Sequence, residues 1–355
     1  MVKSAILYEL GNVQLGDYPE EQLEYGDIRI RVALCGICGS DIKTYVRGTP
    51  YMKLPGVLGH EVVGTVAESR NPKWKPGDRV AVAHYIPCGS CAYCLAGKGT
   101  LCPELFTRRI SPGGFAEYMR VPRDLADRGT FRLADDADFY RFVVAEPLAC
   151  CIHGAKAVDM PKGASVLVIG DGPMGILHLQ TVRAFGASRV IMSGMVKERM
   201  EVAALYADEV LDAARADVNA EVRRLTRGLG PDVVIVSVAS IEAANQAIDL
   251  VRSGGTVLLF GGFPGGSTLT LDPNRIHYDE VRLIGSVGSL PEDFELALRL
   301  LETGQVTGER MFTHRYSLDQ VPLALERGRR QEGIKAVVDP WAPAGTAELL
   351  RAGGK

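Results

Sequence analysis

The chain has 355 residues, 46% of them hydrophobic and 23% charged, with a formal net charge of −3. That length suits two globular domains, and the charge offers nothing to recruit nucleic acid or an anionic membrane surface. No run of eighteen apolar residues occurs, and the opening segment around Lys3 and Glu9 is too short and too charged for an export signal, so a cytoplasmic protein without a membrane span is expected.

In that reducing compartment the eight cysteines should bind metal rather than pair as disulfides. Residues 1–151 carry short alternating segments, such as 28–32 and 78–82, divided by glycine and proline, which predict a β-rich domain. Within it, Cys35-Gly-Ile-Cys38-Gly-Ser40-Asp41 places a thiol, a hydroxyl and a carboxylate in close succession. A thiolate binds zinc, a neighbouring hydroxyl can pass a proton, and a carboxylate can orient a metal-bound imidazole. The imidazole follows in Gly59-His60-Glu61, and Glu146-Pro147-Leu148 adds a further carboxylate. Singly these are ordinary core or surface residues. Together they form the sulfur, nitrogen and oxygen set of a catalytic zinc with an open position. Gly56, Gly59 and Gly64 flank the His-Glu pair, as expected where a strand bends tightly, and Pro76-Gly77-Asp78 marks a turn.

Next comes Cys88-Gly-Ser-Cys91-Ala-Tyr-Cys94, with Cys102 beyond it. Four thiols at this spacing can enclose one tetrahedral zinc with no position left for water, a structural site that adds stability rather than chemistry.

From residue 165 the pattern changes to alternating strand and helix. Residues 165–169, Ser-Val-Leu-Val-Ile, form an apolar run of the kind buried on both faces of a parallel sheet. They lead directly into Gly170-Asp-Gly172-Pro173-Met174-Gly175, and residues 176–185 then have helical spacing, with Gly186 as the stop. Glycines so placed allow a tight turn, close approach to a pyrophosphate and close helix packing, so this turn is read as dinucleotide-binding. Further strands at 189–192, 209–211, 232–236, 255–260 and 281–285 complete a six-stranded doubly wound sheet over residues 152–289. Residues 290–340, with a helix at 291–301 and a last strand at 333–338, should return to the first domain. The tail 341–355, with Pro343, Gly345 and Gly353-Gly354, should be flexible.

With Gly113-Gly114-Phe115-Ala116-Glu117-Tyr118 and Ser253-Gly254-Gly255-Thr256 added, this order of elements resembles the zinc-dependent medium-chain dehydrogenase/reductase superfamily over residues 1 to about 340. The resemblance implies an α/β protein with a GroES-like catalytic domain, a Rossmann domain and an active site in the cleft between them. It implies that Cys38, His60 and a carboxylate hold the catalytic zinc and that Asp41 steadies His60, while Glu61 either ligates the metal or stands directly behind it. Simple alcohol dehydrogenases have Cys as the third ligand, whereas sorbitol and threonine dehydrogenases have Glu in a Glu-Pro-Leu context. Here that residue is Glu146, with Cys35, Cys150 and Cys151 read as core residues and Cys150 or Cys151 as the alternative ligand.

The implied branch therefore acts on polyols and amino-alcohols. Zinc would acidify the substrate hydroxyl, the nicotinamide would take a hydride, and Ser40 would relay the proton. Relatives often continue that relay through a His where this chain has Lys43. Either the relay is shortened, or Lys43 contacts a polar substrate, or it is an exposed lysine without a role. The substrate is expected to be a small polar secondary alcohol or ketone, such as a sugar alcohol, cyclitol or amino-alcohol, with Tyr45 and Arg47 near Lys43. A homodimer or homotetramer is implied.

For the cofactor, NAD(P), the second Rossmann strand normally ends in Asp or Glu, which holds the adenosine ribose. Here that position is Gly194, leaving room for a 2′-phosphate with Ser193, Lys197 and Arg199 as donors, so the reading leans to NADP. The alternative is that Arg199 grips the ribose of NAD. Rival functions are a zinc-free enoyl or quinone reductase, which the metal ligands oppose, an epimerase or eliminating enzyme with transient hydride transfer, and a nonenzymatic zinc module, which would leave the Rossmann half without purpose.

Overall fold

Along strand Ile28–Gly36, the residues Ile28, Ile30, Val32 and Leu34 are buried and those between them partly exposed, the period of two that a one-sided antiparallel sheet imposes. In the computed structural model, which describes residues 1–350, this strand is central to an eight-stranded sheet. It pairs antiparallel with Glu61–Ser69, with Tyr118–Val121 and with Lys335–Val338. The main path runs Ala347–Leu349, Phe312–Tyr316, Lys335–Val338, Ile28–Gly36, Glu61–Ser69, Arg79–Val82, Thr130–Arg132. A separate three-stranded sheet joins Asn12–Tyr18, Val2–Glu9 and Gly56–Val57. The predicted turn at Pro76-Gly77-Asp78 forms with Gly77 at φ +95°.

These elements belong to a unit made of Met1–Glu146, Leu290–Leu301 and the chain from Gly308 onward. The second unit comprises Pro147–Ser289 and Glu302–Thr307. Its six parallel strands lie in the order Glu209–Asp212, Arg189–Gly194, Ser165–Ile169, Val233–Val236, Thr256–Leu259, Arg282–Gly285, the doubly wound arrangement expected. Val166, Leu167 and Val168 are fully buried, as a strand covered on both faces requires. Helices Pro173–Ala184, Val218–Leu225 and Ile241–Leu250 follow strands, the last two capped by Asp217 and Ser240.

The boundary falls inside helix Ala145–Val158, between Glu146 and Pro147, rather than after residue 151. The segment after residue 290 does not all stay with the first unit. Thr307 N donates to Gln180 Oε1 at 2.8 Å and Gln180 Nε2 donates to Thr307 O at 3.0 Å, which ties Glu302–Thr307 to the second unit. The tail also departs from expectation. Ala347–Leu349 pairs antiparallel with Phe312–Tyr316, and Trp341 donates its indole N–H to Val32 O at 2.8 Å. A cross-strand partner and a buried acceptor outweigh the local Pro and Gly content; Gly353-Gly354 lies outside the described residues. Among the described residues no helix is long and apolar enough to cross a membrane.

Candidate active site

Helix Gly39–Arg47 begins at Cys38, an extended N-cap whose backbone N–H donates to Asp41 Oδ2 at 2.9 Å. The other Asp41 oxygen accepts from Gly59 N at 3.1 Å and lies 3.2 Å from His60 Nδ1. One buried carboxylate thus fixes both the helix start and the imidazole. Gly59 is required here: its φ is +90° and a Cβ would come within 2.6 Å of the Phe115 ring. With Nδ1 facing Asp41, His60 turns Nε2 toward Ser40 Oγ, 3.4 Å away. Burial opposes charge on His60, but Asp41 and Cys38 outweigh it and hold the imidazole well above its ordinary pKa.

One ligand atom each from Cys38, His60 and Glu61 lies within 4.8 Å of the other two, close enough to share one ion. Glu61 faces Gly36 across the sheet, where a Cβ would fall 1.9 Å from Glu61 Oε2. Both carboxylate oxygens meet Lys335: Oε1 accepts from Nζ at 2.8 Å and Oε2 lies 2.6 Å from it. Nζ donates also to Ile37 O at 3.2 Å, and both side chains are almost wholly buried. Burial disfavours the ammonium, yet the Glu61 charge holds its pKa above the ordinary lysine value.

Glu146 stands outside the triad. Its Oε1 is 3.4 Å from His84 Nδ1, and the His84 ring lies 4.7 Å from that of His60. Burial would raise the Glu146 pKa, but His84 keeps it below the ordinary value. His84 and Lys335 were invisible to the sequence reading, because neither sits in a motif and each reaches the site only through strand pairing or a turn.

A cavity of about 510 Å³ opens beside this group, lined among others by Ser40, Thr44, Tyr51, His60, His84 and Arg109. Lys43 is exposed and does not line it; Ser40 and Thr44, one helical turn apart, present the face that does. Tyr45 is buried in the core with its hydroxyl donating to Gly11 O at 2.9 Å, and Arg47 is exposed. The expected grouping of Lys43, Tyr45 and Arg47 around a substrate is therefore not formed.

Cys88, Cys91, Cys94 and Cys102 converge within 4.8 Å. Sulfur separations of 3.8 Å for Cys88–Cys94 and 3.5 Å for Cys91–Cys94 fit the edge of about 3.8 Å that a tetrahedron with Zn–S bonds near 2.3 Å would have. Backbone N–H groups of Ser90 and Cys91 pull the Cys88 thiol down to about 6, favouring the thiolate a metal needs.

In the second unit, Gly172 caps helix Pro173–Ala184, with Pro at its start. Gly170 has φ +116°, a Cβ at Gly175 would meet Gly170 O at 1.8 Å, and nothing lies within 4 Å of one at Gly172. The turn thus has the tight bend, the close helix packing and the open backbone that a pyrophosphate requires. Met174 O accepts from Cys151 Sγ at 3.8 Å, so Cys151 is a packing residue there.

Gly194 ends strand Arg189–Gly194 without a side chain, as read from the sequence. The space beside it is filled, since a Cβ would lie 2.7 Å from Asp171 Oδ2, a carboxylate brought over from the glycine-rich turn. Ser193 is buried with its carbonyl accepting from Gly170 N at 2.8 Å, and Lys197 is 81% exposed, 3.9 Å from Glu201. Arg199 faces Asp171 with Nη1 4.0 Å from Oδ1.

Two family models match the chain: the alcohol dehydrogenase GroES-like domain over residues 24–127 and the zinc-binding dehydrogenase over residues 173–303. L-galactonate-5-dehydrogenase of Escherichia coli is 32% identical over 87% of this chain and 90% of its own length. The sorbitol dehydrogenase of Bacillus subtilis is 27% identical over 96% and 97%. A Sinorhizobium meliloti structure, described as a zinc-binding dehydrogenase bound to NADP, superposes with a TM-score of 0.88 at 32% identity, covering 96% of this chain and 99% of that one. With the two domain types in order and these relatives along nearly its whole length, the chain belongs to the zinc-dependent medium-chain dehydrogenase/reductase family of enzymes, on its polyol dehydrogenase branch.

Proposed function

We propose that this enzyme transfers a hydride between a nicotinamide dinucleotide and the secondary alcohol or ketone of a small polyhydroxylated substrate. The observation that carries it is the convergence of Cys38, His60 and Glu61, with Asp41 behind the imidazole and His60 itself on the wall of a cavity that Ser40 and Thr44 also line. Cys38 and His60 would hold the catalytic zinc together with a carboxylate, Glu61 or Glu146, and the four-cysteine cluster would hold a structural one. A zinc held by these residues would supply Lewis acidity toward a substrate oxygen, and a nicotinamide held at the glycine-rich turn would supply hydride chemistry.

The chain's own residues do the rest. Asp41 Oδ1 lies 3.2 Å from His60 Nδ1 and so fixes the ring with Nε2 as the nitrogen that would face a metal. Ser40 Oγ, beside Nε2 and on the cavity wall, is placed to take the hydroxyl proton and pass it outward. Thr44, Tyr51 and His84 offer further hydrogen bonds to a substrate with several hydroxyls. The similarity to sorbitol and L-galactonate-5-dehydrogenases supports this class. A cofactor-reduction screen over polyols, aldonates, cyclitols, β-hydroxy amino acids and simple alcohols tests it. Turnover of a polyol or its acid is expected; turnover of simple primary alcohols alone would refute the proposal.

A further inference from the structure

A dinucleotide fold of this type normally ends its second strand in a carboxylate that holds the adenosine ribose hydroxyls and repels a 2′-phosphate. Strand Arg189–Gly194 ends instead in a glycine, and the structure gives that glycine a reason. Asp171, the second residue of the glycine-rich turn, extends across the end of this strand. Its Oδ2 accepts from Met195 N at 2.6 Å and from Val196 N at 2.7 Å. A Cβ at Gly194 would fall 2.7 Å from Asp171 Oδ2 and 2.8 Å from Asp171 Cβ, so any side chain at position 194 would displace the aspartate.

We propose that Asp171 takes over the role of the missing strand-end acid and makes the enzyme select NAD over NADP. The inference rests on the reading that this turn binds a nicotinamide dinucleotide. The carboxylate comes from the neighbouring turn rather than from the strand, but it occupies the volume into which a strand-end side chain would grow. Oδ2 is spent on the two amides, and Oδ1 stays available as an acceptor, 4.0 Å from Arg199 Nη1. Arg199 and Asp171 are both buried, at 9% and 7% exposure, so the arginine's charge is already balanced where a 2′-phosphate would need it. A carboxylate oxygen held in this place suits a ribose hydroxyl as an acceptor. A phosphate would instead bring its charge against a buried carboxylate. The lean toward NADP drawn from an empty position at Gly194 is thereby reversed.

The test is direct binding of NADH and NADPH to the full-length protein, followed by nucleotide fluorescence without substrate. Wild type should bind NADH at least about tenfold more tightly than NADPH, and added salt should narrow the gap. Asp171→Asn keeps an acceptor for the amides but removes the charge, and should tighten NADPH at least about fivefold while leaving NADH within about threefold. NADPH binding equal to or tighter than NADH in wild type would overturn the assignment of Asp171, as would an unchanged ratio in Asp171→Asn. Should that variant not fold, the wild-type ratio and its salt dependence decide alone. If neither nucleotide bound, the dinucleotide reading would fall, and this inference with it.

Discussion

The two thiolate-bearing sites of the first unit are built in opposite ways. The four-cysteine cluster comes from a single stretch, Cys88 to Cys102, and its sulfurs are gathered by the turn itself, with Ser90 N, Cys91 N and Gly89 N donating to Cys88 and Cys94. The Cys38–His60–Glu61 site draws its donors from distant segments, and its charged side chains have protein partners of their own: Asp41 for His60, Lys335 for Glu61, and His84 for the nearby Glu146. A closed site can let the metal hold its ligands. A site that must keep one position open for substrate needs ligands held in place by something other than the metal.

The sharpest way to break that comparison is to remove one thiolate from each site. Cys38→Ser should lower kcat/KM by about 10³-fold or more, some 4 kcal/mol of lost activation, and release about one zinc per chain while the melting temperature barely moves. Near-normal turnover would sink the assignment of that site. Next in size is Lys335→Met, which strands the buried Glu61 carboxylate. Urea unfolding should show a loss of about 3–5 kcal/mol, largely restored by adding Glu61→Gln. A variant as stable as wild type would mean the pair supports nothing.

In the closed cluster, Cys91→Ser should act on stability instead, costing about 2 kcal/mol and lowering Tm by about 4–8 °C, with kcat per folded molecule retained. A loss of turnover at unchanged Tm would erase the contrast between the sites. The smallest effect sharpens it from the other unit. His178 is fully buried against the edge of Phe260, no hydrogen-bond partner meets either ring nitrogen, and burial pushes its pKa down to about 3. Between about pH 6.5 and 3 the unfolded chain therefore binds the extra proton, and stability falls as pH falls through that window. His178→Leu should flatten this dependence by about 1 kcal/mol between pH 6 and pH 5; parallel wild-type and variant curves would refute it.

Where a site depended on local spacing it was legible in the sequence. Cys88 to Cys102, the glycine-rich turn and the six parallel strands all follow from short-range pattern. So did the pairing of His60 with Asp41, although only through resemblance. What escaped was set by long-range register. Lys335 and Glu61 are 274 positions apart and meet because both their strands pair with Ile28–Gly36. Asp171 carries no signal of its role in the sequence, since nothing in its neighbours announces that its side chain crosses to Met195 and Val196. Lys43 was placed in the site by counting from Ser40, but helical geometry gives that wall to Thr44.

The separation between Glu61 and Lys335 has a consequence for biosynthesis. At about 5–20 residues per second, the 274 residues from Val62 to Lys335 take about 14–55 s to emerge from a ribosome. Throughout that interval the nascent chain carries Glu61 without its ammonium, so the site cannot be buried at low cost before the return strand arrives. The Rossmann segment Pro147–Ser289 is nearly continuous and can fold during that same wait. Burial of Glu61 then waits for Lys335, so this part of the first unit can complete its core only after the Rossmann segment has emerged.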